Sequence, residues 1–131
     1  MFIGEGSHYD LDSDQGGLEY AKLLPSGGHT VHISESGEYI NTYTVTLFHQ
    51  LKCLGILREE HNFPGSEPLT HHCLTYLRQT ILCRPNLRLE SVRTPAGSAS
   101  RGYDTVCPRD WTRVYAAAEE NRAKYTAARK K

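Results

Sequence analysis

The sequence lacks a charge excess of either sign. Fifteen Lys and Arg residues balance fifteen Asp and Glu, so no global field draws the chain to nucleic acid or an anionic membrane, and neither is expected as a partner. It also lacks any apolar run near the ~20 residues of a membrane span, and Met1 to Asp10 has no signal-peptide core. As written, the chain is expected to be soluble. No C-x-x-C pair occurs among Cys53, Cys73, Cys83 and Cys107, which argues against a zinc ribbon or a thioredoxin-like site. An even number of cysteines leaves two disulfides, in any of three connectivities, or four buried thiols. Charge is uneven only at the ends. Glu5, Asp10, Asp12, Asp14 and Glu19 meet no Lys or Arg in the first twenty residues, and Arg122, Lys124, Arg129, Lys130 and Lys131 crowd the last. Both blocks read as solvated ends.

What is present suits one small domain. A chain of 131 residues buries roughly two thirds of its unfolded surface. Residues 1–19 read as an irregular lead-in, with Leu18 to Leu24 a short helix stopped by Pro25 and Ser26-Gly27-Gly28 a turn. Thr30 to Ser34 alternates with Val31 and Ile33 inward, and Tyr39 to Leu47 alternates with Tyr39, Tyr43, Val45 and Leu47 on one face. Together they predict a β-hairpin through Ser34-Glu35-Ser36-Gly37. Near Leu47 the period changes. Leu47, Leu51, Leu54 and Leu57 predict a helix to about His61, closed by Pro64-Gly65. Cys73, Leu74, Leu77 and Ile81 predict a second helix from Thr70 to about Cys83, ended by Pro85. The short connection favours an antiparallel pair. Leu87 to Val92 reads as a weak strand and Thr94 to Gly102 as a loop. Asp110 can cap a last helix carrying Trp111, Val114, Tyr115 and Ala118, with a frayed basic tail over residues 121–131. The expected class is α+β and helix-rich: a β-hairpin beside an antiparallel helix pair, plus a long C-terminal helix.

The two central helices echo each other. Lys52-Cys53-Leu54-Gly55-Ile56-Leu57-Arg58 matches His72-Cys73-Leu74-Thr75-Tyr76-Leu77-Arg78, with Cys, Leu, Leu and Arg in identical places. Two copies are too few for a solenoid and indicate a pseudo-symmetric helix pair. Residues three and four apart share a helical face, which groups His49 with Lys52 and Cys53, and Leu69 with His72 and Cys73. Imidazole and amine groups sharing one cleft can transfer protons or stabilise an oxyanion. The candidate catalytic residues are therefore His49, Lys52 and His72, with His71, His29 and Tyr76 in support. Arg58 and Arg78 read as partners of Glu59, Glu60 or the last helix carbonyls, and His61 as a helix-end cation. His32 points away from Val31 and Ile33, to solvent. Trp111, Tyr115 and Tyr76 read as core or as the wall of a flat pocket.

These motifs carry a resemblance. His49-Gln50-Leu51-Lys52-Cys53-Leu54 and His72-Cys73-Leu74-Thr75-Tyr76-Leu77-Arg78-Gln79, with Ile81-Leu82-Cys83 after them, resemble the paired H-x-x-H-C blocks of the UstYa-like family of fungal mycotoxin and peptide natural-product biosynthesis. Leu24-Pro25-Ser26-Gly27-Gly28-His29 and Cys107-Pro108-Arg109-Asp110-Trp111 extend the likeness to roughly residues 20–120, the expected single domain. The resemblance implies a tailoring enzyme of oxidative cyclisation or hydroxylation, copper held by the block histidines, and a lumenal domain of the secretory pathway behind a membrane helix that this chain lacks. It also favours bridges, Cys53 with Cys73 and Cys83 with Cys107.

The departures change the expected chemistry. Lys52 stands at the second histidine of the first block, and Leu69 at the first histidine of the second. An ammonium repels a cation and leucine has no lone pair, so any copper would rest on His49 and His72. His71 lies about 100° round the helix from His72 and cannot replace Leu69. No cofactor is favoured and copper is the one implied. Three functions follow: a metal-free acid/base catalyst of cyclisation or rearrangement on a small-molecule or peptide intermediate, a copper oxidase with a reduced ligand set, and a non-catalytic partner of a true oxidase. Homo- or hetero-oligomers with a related protein are compatible with all three.

Overall fold

The computed structural model describes residues 2–4, 8–34, 39–65, 67–85, 102–104 and 110–129. In chain order these form β1 (Phe2–Gly4), α1 (Asp14–Ala21), β2 (Thr30–Ser34), β3 (Ile40–Thr44), α2 (Thr46–Asn62), α3 (Glu67–Cys83), β4 (Gly102–Asp104) and α4 (Thr112–Ala128). The architecture is α+β and helix-rich, with an antiparallel hairpin β2–β3 and a second two-stranded pairing of β1 with β4.

Helix α1 starts earlier than hydrophobic spacing predicts because its signal is a cap. The Ser13 hydroxyl accepts from the Gly16 amide at 3.0 Å, and Asp14 places a carboxylate in the first turn, where the helix dipole favours it. Gly16 is required at this junction. A Cβ there would lie 1.9 Å from the Asp10 carbonyl oxygen. Arg58 on α2 then fastens the entry, donating to the Ser13 carbonyl at 2.6 Å and the Asp10 carbonyl at 3.3 Å, while Asn62 donates to the Leu11 carbonyl at 2.7 Å. Arg58 therefore serves a neighbouring segment instead of Glu59, Glu60 or its own helix end.

Strand β2 has the predicted bounds, and its register with β3 runs from Thr30↔Thr44 to Ser34↔Ile40. Every residue of β3 is exposed. Its alternation marks no buried face, because no helix or second sheet covers that strand among the described residues. The hairpin's cover is α4, through β2. Asn121 accepts from the His32 amide at 2.8 Å and donates to the His32 carbonyl at 2.6 Å, and the His32 ring stacks on Tyr125 at 3.6 Å. His32 thus faces α4 where solvent was expected. The same contacts correct the frayed tail: α4 continues to Ala128 because residues past Glu120 are anchored on β2. At the other end, the Asp110 carboxylate accepts from the Thr112 amide at 3.1 Å.

Helices α2 and α3 pack antiparallel; α2 begins at Thr46, one residue before its predicted start, and α3 at Glu67, three residues before its own. Among the described residues the apolar core is Phe48, Cys53, Cys73 and Ala118. The Phe48 ring meets Tyr115 edge-on at 4.9 Å, and the Tyr115 hydroxyl donates to the Leu23 carbonyl at 2.6 Å. Trp111 is half exposed and packs edge-on against Tyr115. Cys53 and Cys73 meet across the helix pair as free, buried thiols, not the expected bridge. They pack as small hydrophobes. Burial, with the Cys73 thiol beside it, pushes the Cys53 thiol up to about 12. Cys83 is free and exposed; Cys107, the predicted strand over Leu87 to Val92, the hairpin's predicted turn and the Thr94 to Gly102 loop up to residue 101 lie outside the described residues. Strands of three residues, as in β1 and β4, are too short to leave a readable pattern. No helix among the described residues is long and apolar enough to cross a membrane.

Candidate active site

One turn into α2, His49 points across the helix pair to α3. Its Nε2 lies 3.4 Å from Nε2 of His72. On α3 the residue one turn beyond His72 is Tyr76, and its ring stacks on His49 with centroids 3.9 Å apart. The two imidazoles are stacked at 5.5 Å between centroids. Spacing of i and i+4 explains why His72 and Tyr76 meet the same partner.

His29 joins this group through a turn. Pro25-Ser26-Gly27-Gly28 closes with the Gly28 amide donating to the Pro25 carbonyl at 2.8 Å, and Gly28 takes φ +72°, which a side chain would strain. Glu119 on α4 holds the turn by accepting from the Ser26 amide at 2.6 Å and from the Ser26 hydroxyl, and these bonds keep the Glu119 carboxyl below its usual range. The His29 carbonyl then accepts from the Val45 amide at 3.2 Å, and its ring stands 6.0 Å from that of His49. The Leu-Pro-Ser-Gly-Gly-His stretch is thus a device for aiming one histidine.

Three of the seven histidines converge here. Burial, and then the neighbouring imidazoles of His72 and His29, push the His49 pKa down. Both causes favour the neutral form of His49, and the Nε2 contact needs one ring to donate and the other to accept.

Lys52 is not in this group. It lines a cleft of about 190 Å³ between α1 and α2, beside Gly17, Tyr20 and Arg58. The i, i+3 relation to His49 permits a shared face, but α1 covers the flank on which Lys52 lies, a contact no helical periodicity could reveal. His71 is exposed on α3, one residue and about 100° from His72. His61 lies 3.5 Å from Asp12, and His8 bonds Glu19 at 2.8 Å; both tie the lead-in down. Tyr76 and His29 stand against His49 more closely than sequence spacing singled out. The signals were present: the i+4 step from His72, and the glycine turn before His29.

Copper is the metal that the family resemblance implies, and the donor set can be tested against it. Two imidazole nitrogens 3.4 Å apart match two ligands of one ion at bond lengths of about 2.0 Å. No group of three or more His, Cys, Asp or Glu placed to hold a metal occurs among the described residues. His49 and His72 fit as two donors; Lys52 and Leu69 supply no others.

Comparison with known proteins agrees with the motifs. A family model described as mycotoxin biosynthesis protein UstYa matches residues 11–119. The UstYa family oxidase phomYb of Diaporthe leptostromiformis is 37% identical over 89 residues, covering 60% of this chain and 35% of the relative. Oxidase ustYa of Aspergillus flavus is 33% identical over 92 residues, covering 63% of this chain and 43% of the relative. The chain therefore spans well under half the length of these curated relatives. No solved structure matches it.

Proposed function

The chain belongs to the UstYa family, and from that premise we propose that it is a tailoring enzyme of fungal secondary-metabolite biosynthesis, working by proton transfer at the His49–His72 pair. The observation that carries this is the 3.4 Å approach of the two Nε2 atoms. Neutral His49 takes a proton from a small-molecule or peptide intermediate, and His72, the more exposed ring, returns one to the rearranged or cyclised product. Tyr76 orients the His49 ring by stacking, and His29 adds a second imidazole whose positive form disfavours charge on His49. The net reaction leaves the substrate's oxidation state unchanged.

An oxidative reaction is the alternative, and two observations favour it. Both relatives bear the name oxidase, and the pair's separation suits one shared copper ion. Held by His49 and His72, copper would supply one-electron and dioxygen chemistry.

Metal analysis after copper reconstitution, with dioxygen uptake, separates the two. The assay substrate is the intermediate that accumulates when the encoding gene is deleted. Turnover without copper, falling about 100-fold or more in H49A and in H72A, supports proton transfer. Copper near one equivalent with matching dioxygen consumption supports oxidation. Parental turnover in either alanine variant overturns the site itself.

A further inference from the structure

Helix α3 buries Cys73 against α2, yet Leu74, Ile81 and Leu82 on its other side are 55%, 63% and 71% exposed. Glu67, His71, Leu74, Arg78 and Ile81 follow one another at alternating steps of four and three residues, and every one is exposed. Such steps draw a single stripe along a helix, the spacing by which one helix lays a seam on another. The internal echo shows what covers the equivalent flank of α2. There Arg58 and Asn62 are fastened to the lead-in of α1. Arg78 and Leu82 hold the same places on α3 and carry no such cover among the described residues; where α2 has an amide that bonds a backbone carbonyl, α3 has an apolar side chain.

The stripe is complementary to itself. Glu67 and Arg78 lie about three turns apart along it, and neither forms a salt bridge among the described residues. A second α3 laid antiparallel, with Glu67 against Arg78, sets His71 opposite Leu74 and passes the two-fold axis between residues 72 and 73. Both ion pairs then form at once, as a two-fold interface requires. The same register carries Leu82 past the second copy's Glu67 to the connection before it, where Phe63 is 82% exposed. Other arrangements lose these contacts. A parallel pair sets Glu67 beside Glu67 and Arg78 beside Arg78, and a slide of one heptad sets Arg78 against Leu74 and Glu67 against Pro85.

We propose that the chain forms a two-fold symmetric dimer through the outer face of α3, with Leu74, Ile81 and Leu82 buried between the copies and two Glu67–Arg78 pairs fixing the antiparallel register. The apolar side chains supply the association, because exposed ion pairs contribute little to affinity and act by selecting the register. Seventeen residues of helix offer a face about 25 Å long, which suits the low end of specific interfaces, about 1,000–1,200 Å² in total. Micromolar association is therefore expected. His72 and Tyr76 lie roughly 100° or more round the helix from the stripe, turned to His49, so the dimer leaves both imidazole sites uncovered.

The test is sedimentation equilibrium of the full chain across micromolar concentrations, under reducing conditions because Cys83 is exposed. The parent should pass from monomer to dimer. L74E should remain monomeric, and R78E or E67R alone should raise the dissociation constant about tenfold or more by setting like charges together. E67R/R78E, which re-forms both pairs with their signs exchanged, should return it to within about threefold of the parent. Circular dichroism melts at concentrations where the parent is monomeric should be unchanged in each variant, since all the altered side chains are exposed. A parent that stays monomeric, a dimer that survives L74E, a double variant no better than the singles, or association with a related protein in place of a second copy overturns the proposal.

Discussion

His49 owes its chemistry to its burial and to the rings around it. Burial comes first and the His72 and His29 charges second in pushing its pKa down. Following the imidazole by NMR across a pH titration should therefore find it titrating below the ordinary histidine value, and H72Q should move it up while leaving it depressed by burial. An unmoved midpoint would mean that the two rings do not sense each other. Because the folded state binds this proton less readily than the unfolded chain, His49 adds nothing to stability at neutral pH and costs stability as pH falls through the ordinary histidine range. Glu19 behaves in the opposite chemical class with the same sign. Bonds from the Tyr9 amide at 2.6 Å and from His8 at 2.8 Å lower its carboxyl from 4.5 to about 2. Its stabilisation is complete above the unfolded carboxylate value and is lost as pH falls from there toward 2. The stability difference between the parent and E19Q, measured by denaturant melts, should be clear at pH 7 and vanish near pH 2.

Among the elements, α4 is the one whose attachment decides whether the hairpin is ordered. Asn121 fills both backbone groups of His32, as a neighbouring strand would. N121L leaves a donor and an acceptor of β2 unpaired, at about 1–3 kcal/mol. Hydrogen exchange should quicken in β2 and in the last two turns of α4, with α2 and α3 little changed; uniform protection loss would mean that α4 is integral to the helix pair instead. The helix pair has a different basis. Cys53 and Cys73 are at equivalent places in the internal echo and meet at its centre, so the repeated Cys-Leu-x-x-Leu pattern marks the packing seam. The repeated arginines share no such role. Arg58 binds the lead-in, and Arg78 is exposed, because α1 covers only one helix of the pair.

Over the whole molecule the core is small. Phe48 is its one large apolar side chain among the described residues, fully buried against Tyr115, whereas Leu69, Leu74, Ile81 and Leu82 are more than half exposed on α3. Truncating a buried phenylalanine costs about 3–5 kcal/mol, which rivals the total stability of a domain of this size, ~5–15 kcal/mol. F48A should lose a cooperative thermal transition or melt far below the parent by circular dichroism. A transition within a few degrees of the parent would place the stabilising contacts elsewhere. Phe48 precedes His49 and Tyr115 packs on it, so core and site share α2.

Local signals in the sequence already determine much of this protein. Hydrophobic period, prolines at element ends and the Gly-Gly turn specify the hairpin, the helix pair and the last helix, and the paired histidine blocks specify the family. These are properties of neighbouring residues, and spacing of three or four along a helix states which side chains share a face. Spacing cannot state what covers that face. Only the tertiary structure separates Lys52 from His49, by laying α1 along one flank of α2, and brings His29 to His49 across a turn held by Glu119 of α4. The frayed tail failed as an expectation for the same reason: a polar helix end has no signal of its own, and Asn121 and Tyr125 are ordered by a strand ninety residues earlier, His32 among it.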